Sequence, residues 1–286
     1  MRPLRVIDAT LRDGEQAPGF AFAAETKVRL ARLLDEAGVY QIEAGVPIAG
    51  REERDCIRAV KEACSSALVS TWNRARPRDI EAALACGADI LHICMPVSQR
   101  QISKKLALAP KAALARYREC ASLAIAEGVA VTAGFEDASR AEPAFMLGLA
   151  RELGELGVAR IRVSDTVGVL TPERTENLVR LLGQAGMEME IHAHNDLGMA
   201  EANSFRAAMA GASFVNTTLT GIGERAGNCG MFGFARLVER SGLFACAPDA
   251  ARAAMAERRA APFLRRDEKL SPGWGMEWSM EWNTLQ

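Results

Sequence analysis

Short β-rich runs alternate along this chain with longer stretches in which apolar residues recur at every third and fourth position. The runs at 4–10, 39–44, 67–72, 90–95, 129–135, 160–164, 189–192 and 213–217 read as strands. The stretches at 27–37, 52–64, 78–86, 112–127, 144–156, 172–185, 198–210 and 231–241 read as helices, because that spacing keeps one face apolar. Gly38, Gly87, Gly128, Gly157, Gly186 and Gly211 each stand just before a predicted strand, where a left-handed glycine ends a helix. Thr171-Pro172-Glu173 supplies an N-cap followed by proline at the first helical position.

Eight strand–helix units in this order predict an α/β TIM-type (β/α)8 barrel, a fold of roughly 250 residues. An open doubly wound sheet is the competing architecture. It would carry a Gly-rich dinucleotide turn after its first strand, and Arg12-Asp13-Gly14-Glu15-Gln16 does not fit one. The expected division is a catalytic barrel over 1–245 and a short C-terminal extension over 246–286. The extension holds a charged run at 258–269, then Trp274, Trp278 and Trp282. A spacing of four makes these one aromatic stripe on a helix, expected to dock on the barrel or a partner subunit, with a lid over the site as the alternative.

Charge narrows the classes of partner. The chain has 35 lysines and arginines against 36 acidic residues, so it offers no broad basic field for nucleic acid or an anionic membrane. No apolar run approaches the ~20 residues of a membrane span, and the first residues read as a strand rather than a signal sequence. The seven cysteines are scattered and odd in number, with no CxxC pair, as expected for free thiols in a reducing cytoplasm.

Barrel chemistry sits at the C-terminal ends of the strands. Arg12, Asp13 and Glu15 follow strand 1, Glu43 lies on strand 2, and Asn73 and Arg74 end strand 3. Glu136 and Asp137 end strand 5, Asp165 and Thr166 end strand 6, and His192-Ala193-His194 ends strand 7. Residues two apart on a strand share a face, so both imidazoles can reach one metal ion. Closure sets strand 1 beside strand 8 and strand 8 beside strand 7, which brings Asp13 across as a third, carboxylate ligand. Asn228, after strand 8, is a fourth ligand or a contact just outside. Two histidines and a carboxylate leave positions open for substrate and suit Mg, Mn or Zn.

The neighbouring residues admit two readings each. Arg12 is a structural ion-pair partner or a fixed cation that stabilises an enolate or alkoxide. Glu43 and Glu136 are salt-bridge partners or groups that order the site and move protons. Thr166 is a helix cap or a hydrogen-bond partner of a substrate carboxylate. Arg74 is the candidate contact to a distal carboxylate. The glycines around Glu224-Arg225 make a tight structural loop or let backbone amides approach an anion.

Asp8-Ala9-Thr10-Leu11-Arg12-Asp13-Gly14-Glu15-Gln16, Ile42-Glu43-Ala44-Gly45, Glu136-Asp137-Ala138-Ser139-Arg140, Ser164-Asp165-Thr166-Val167-Gly168, His192-Ala193-His194-Asn195-Asp196 and Gly221-Ile222-Gly223-Glu224-Arg225-Ala226-Gly227-Asn228 together resemble the DRE-TIM metallolyase family. Order and spacing match over residues 4–240. Within that family the chain is most similar to the homocitrate synthase branch, then to the 2-isopropylmalate and citramalate synthases. The resemblance implies a TIM barrel that condenses acetyl-CoA with a 2-oxo acid, 2-oxoglutarate first, on a divalent metal held by Asp13, His192 and His194 with Asn228 at or beside it. It implies that Arg12 polarises the oxo group, that Glu43 holds Arg12, and that Glu136 and Thr166 position substrate and assist proton transfer. A carbon–carbon lyase of the hydroxymethylglutaryl-CoA type and a non-catalytic paralogue subunit are the alternatives. Two features depart from the family pattern. The chain has no histidine after His194, and its loop continues as Cys229-Gly230-Met231. A homodimer is expected, or a separate partner chain.

Overall fold

A computed structural model describes residues 1–264, so Trp274, Trp278 and Trp282 lie outside the described residues. The parallel strands are β1 (Arg2–Asp8), β2 (Gln41–Gly45), β3 (Leu68–Arg74), β4 (Ile90–Pro96), β5 (Ala130–Glu136), β6 (Arg160–Asp165), β7 (Glu188–Ala193), β8 (Phe214–Thr217) and β9 (Phe244–Ala247). Strands β1 to β8 pair in sequence. β1 then pairs with both β8 and β2, which closes the barrel. The helices are α1 (Ala24–Ala37), α2 (Arg51–Ala63), α3 (Pro77–Leu84), α4 (Gln99–Lys105), α5 (Pro110–Ala126), α6 (Pro143–Glu155), α7 (Pro172–Gly183), α8 (Ala200–Ala210), α9 (Met231–Ser241) and α10 (Ala250–Ala260).

Each long helix turns one stripe inward. α1 buries Leu30, Ala31, Leu33 and Leu34, and α9 buries Met231, Phe234, Ala235 and Val238. Each large side chain buried this way contributes roughly 1.5–3 kcal/mol. Gly38 stops α1 at φ +90°, a conformation that penalises a Cβ.

Two regions differ from the sequence expectation. The polar stretch after β4 folds as the short helix α4, capped by Ser98. The start of the expected extension belongs to the barrel body. β9 pairs with Arg2–Arg5 of β1, so the boundary at 245/246 falls inside a strand. α10 then buries Ala250, Ala253, Ala256 and Ala260. Glu257 on α10 accepts from the amides of Thr220 (2.9 Å) and Phe232 (3.1 Å), which ties it to the segment after β8.

The barrel interior is charged rather than filled by branched aliphatics. Arg160 and Arg162 alternate with apolar residues along β6, and their guanidinium groups cross the barrel to β2. Arg160 donates to Gln41 at 2.7 Å, and Arg162 pairs with Glu43 at 2.7 Å. Both arginines also hold Glu190 on β7, at 2.9 and 2.5 Å. Burial of such charges is tolerated only when they are paired and hydrogen-bonded. This layer is the floor beneath the C-terminal mouth.

Candidate active site

The turn after β1 is drawn tight by one acceptor. The Ala9 carbonyl takes hydrogen bonds from the amides of Arg12, Asp13 and Gly14, at 3.1, 2.8 and 3.1 Å. This points Arg12 and Asp13 into the mouth. Arg12 Nε donates to Glu43 at 2.6 Å, its Nη1 lies 3.0 Å from Asp13 Oδ2, and its guanidinium stands 5.7 Å from the centroid of Trp72. Burial alone would push the Asp13 carboxyl up. The Arg12 charge beside it outweighs this and holds Asp13 well below the usual carboxylate range. Burial opposes ionisation of Glu43 in the same way, and Arg12 and Arg162 overcome it.

His192 and His194 share the inward face of β7 and its extension. Their Nε2 atoms are 3.3 Å apart, and His192 Nε2 is 3.2 Å from Asp13 Oδ2. The ligand atoms of Asp13, His192 and His194 all lie within 4.8 Å of one another, and all three residues are buried. Burial lowers His194 to about 4 despite the nearby Asp13 charge, so its ring is neutral, as a metal ligand must be.

The surrounding hydrogen bonds fix the tautomer of His192. Asn216 Nδ2 donates to Glu190 at 3.2 Å, which turns its Oδ1 toward His192 Nδ1 at 2.9 Å. Nδ1 therefore carries the hydrogen, and Nε2 presents a lone pair toward Asp13 and His194. A carboxylate and imidazole lone pairs gathered in a buried space call for a cation. Among the described residues, His194 Nδ1 and Asn228 Oδ1 are buried without hydrogen-bond partners. The donor set fits a divalent metal with open positions.

Asn228 sits one step out. Its Nδ2 donates to Asp13 Oδ1 at 3.1 Å and to the Ile222 carbonyl at 3.1 Å. The Gly-rich loop reaches this pose by turning inward. Asn195 N donates to Gly227 O at 2.8 Å, Gly227 N to Glu224 O at 2.8 Å, and Asn228 N to Gly221 O at 2.9 Å. The amides of Gly227 and Asn228 are thus engaged within the loop. Arg225 clamps the rim, forking onto Asp196 at 2.8 and 2.9 Å and donating to the Thr166 carbonyl at 3.0 Å.

Glu136, at the end of β5, pairs with Lys105. Thr166 Oγ1 accepts from the Asp137 amide at 2.8 Å, which leaves its hydroxyl hydrogen for another acceptor. Arg74 stands apart from this cluster: its guanidinium forks onto Asp79 of α3 at 2.7 and 3.2 Å. Sequence reasoning missed Lys105, Arg162, Glu190 and Asn216. The charged alternation of Arg160, Arg162 and Ser164 on β6, and of Glu188, Glu190 and His192 on β7, was the available signal, since a period of two marks one face of a strand.

Comparison with known proteins agrees with this geometry. The HMGL-like family matches residues 3–255. A homocitrate synthase of Frankia alni is 47% identical over 226 residues, covering 79% of this chain and 64% of that protein. The chain thus spans less than two thirds of that relative's length. A Clostridium pasteurianum protein described as homocitrate synthase subunit alpha is 39% identical over 237 residues, covering 82% of this chain and 88% of that one. Among solved structures, hydroxymethylglutaryl-CoA lyase from Pseudomonas aeruginosa superposes with a TM-score of 0.81 at 20% identity, covering 93% of this chain and 94% of that one; this is a likeness of fold.

Proposed function

Because the chain belongs to the HMGL-like family, we propose that it condenses acetyl-CoA with a 2-oxo acid, 2-oxoglutarate first, in a metal-dependent Claisen-type acyl transfer. The observation that carries this reading is the convergence of Asp13, His192 and His194 beside the fixed cation Arg12. A bound Mg, Mn or Zn ion would supply Lewis acidity and orient the acceptor. Arg12 faces the same space and neutralises negative charge that develops on the oxo oxygen, in a site where such a charge is poorly solvated. Glu43 holds Arg12 in that pose. Glu136 Oε1, the oxygen away from Lys105, takes up a proton during the reaction. Thr166 donates its hydroxyl hydrogen to a substrate carboxylate. Arg74 would have to leave Asp79 to reach a distal carboxylate.

The buried charges favour an anionic acceptor. Arg12, Arg160 and Arg162 are matched by Asp13, Glu43 and Glu190, so a divalent cation adds charge that a dicarboxylate offsets. The same groups can run a carbon–carbon cleavage. The synthase relatives, at 39–47% identity, weigh more than lyase structures at 20% or less. No described helix is long and apolar enough to cross a membrane. Cytoplasmic placement agrees with the free cysteines. The subunit description of the Clostridium relative supports a separate partner chain, with a homodimer as the other arrangement.

The test is release of free thiol from acetyl-CoA by metal-loaded protein with 2-oxoglutarate, pyruvate, 2-oxoisovalerate, oxaloacetate and glyoxylate. Release with 2-oxoglutarate is expected. Silence with every acceptor, with metal bound and the fold intact, would sink the proposal for the chain acting alone.

A further inference from the structure

Seven residues close a ring around and beneath the candidate site. From Arg12 the contacts run to Glu43 (2.6 Å), Arg162 (2.7 Å), Glu190 (2.5 Å), Asn216 (3.2 Å), His192 (2.9 Å) and Asp13 (3.2 Å), then back to Arg12 (3.0 Å). Arg162, 1% exposed, is the point of the ring farthest along it from the metal ligands. From its Nη2 one limb leads through Glu43 to the cation Arg12. From its Nε the other leads through Glu190 and Asn216 to the tautomer of His192.

We infer that Arg162 is a positioning residue that sets both the pose of Arg12 and the metal-ready tautomer of His192, and that Glu190 is its relay to the histidine. This rests on the metal-site reading above and adds a role for two residues that do not touch the metal or substrate. The argument is geometric. Glu190 Oε1 accepts from both Arg162 Nε and Asn216 Nδ2, while its Oε2 is taken by Arg160. A carboxylate only accepts, so Asn216 must turn its amino group to Glu190 and its carbonyl oxygen to His192. If Oε1 moves or becomes a donor, Asn216 is free to flip and His192 to carry its hydrogen on Nε2. Outer partners of metal-bound histidines act in this way, and their loss weakens metal binding about 10–100-fold. Arg162 spans two carboxylates with one planar fork, which the point charge of a lysine cannot reproduce.

The test compares Arg162→Gln, Arg162→Lys and Glu190→Gln with the wild type, without substrate. Mn2+ binding is measured by calorimetry, and the histidine tautomers are read from 15N NMR of the imidazole rings, a small set because the chain has 3 histidines. Arg162→Gln and Glu190→Gln are expected to weaken Mn2+ binding by about tenfold or more and to shift His192 toward the Nε2–H form. Arg162→Lys is expected to fall between them and the wild type. A purely structural arginine would lower the melting temperature and leave Mn2+ affinity and tautomer unchanged; that result overturns the inference, as does a wild type with His192 as Nε2–H. If Arg162→Gln does not fold, Glu190→Gln decides alone. Loss of Mn2+ affinity in the variants, with a wild type that releases no thiol, would leave Arg162 its role and remove the condensation reading.

Discussion

Lys105 Nζ on α4 lies 2.8 Å from Glu136 Oε2 at the end of β5, so the short helix after β4 is locked by charge to a residue of the candidate site. Both side chains are nearly covered, at 13% and 11% exposure. Ser98, which caps the other end of α4, donates to Asp137 Oδ2 at 2.5 Å. The helix is therefore held at both ends by consecutive acidic residues.

Lys105→Met is expected to leave a nearly buried carboxylate unpaired and to misplace Glu136 as a proton-handling group. Thiol release should fall on the order of 10²-fold, the lower range for a positioned acid–base group, and Lys105→Arg should recover most of it. Steady-state kinetics beside circular dichroism checks this. Full activity in Lys105→Met would remove Glu136 and its lysine from the mechanism.

Asp13→Ala and His192→Ala should each abolish stoichiometric metal binding and turnover while the barrel remains folded. The reason is local: each removes one of three converging donors, while Arg12 keeps its 2.6 Å bond to Glu43 and the charged floor remains paired. Metal analysis after dialysis, read against the far-UV spectrum, tests the claim. Wild-type metal content in either variant would contradict the ligand assignment.

Most of the barrel was legible in the sequence because its signals are local. Strand runs are bounded by glycines such as Gly38 and Gly157, which take positive φ in the structure, and helical spacing is strong in α1 and α9. α4 escaped because only Ile102 among its residues is buried, so no period is visible. α10 escaped because its buried stripe is all alanine, which contrasts weakly with the charged residues between. The His-x-His pair and the Arg12-Asp13 turn were legible as chemistry. The floor was not, because Arg162 finds Glu43 across the barrel, a relation no local pattern encodes. Arg74 shows the converse: its place at a strand end suggested a substrate contact, whereas Asp79, five residues on, holds its guanidinium.

Asp8 gives a pH dependence with a definite sign. Burial raises its carboxyl to about 7, only partly offset by the hydrogen bond from Thr10, and Oδ2 has no hydrogen-bond partner among the described residues. The folded protein therefore binds this proton more tightly than the unfolded chain, whose carboxyl titrates near 3.9. The favourable contribution is fully present below about pH 4 and is lost as pH rises through about 7. Asp8→Asn should flatten that decline. Calorimetric scans between pH 5 and 8 should show the wild type losing stability relative to the variant, with each kcal/mol worth about 2–4 °C. Parallel curves would mean that Asp8 is ionised throughout.

Gly223 tests how closely the Gly-rich loop is fitted to the metal site. A Cβ at this position would fall 2.1 Å from Asn228 Nδ2 and 3.2 Å from Asp13 Oδ1. Asn228 is only 2% exposed and is pinned by Asp13 and the Ile222 carbonyl, so its amide has little room to yield. Gly223→Ala is therefore expected to push Asn228 away from Asp13 and leave Oδ1 of that carboxylate without its donor. Loss of such an outer contact should weaken metal binding by about tenfold, with a smaller effect on the melting temperature, because the barrel strands are untouched. Asn228→Ala should produce a similar loss by deleting the donor directly. If the two act on the same contact, the double variant Gly223→Ala/Asn228→Ala should be no weaker than Asn228→Ala alone. Metal titration of the three proteins decides it: additive losses would show that Gly223 serves the site through some contact other than Asn228.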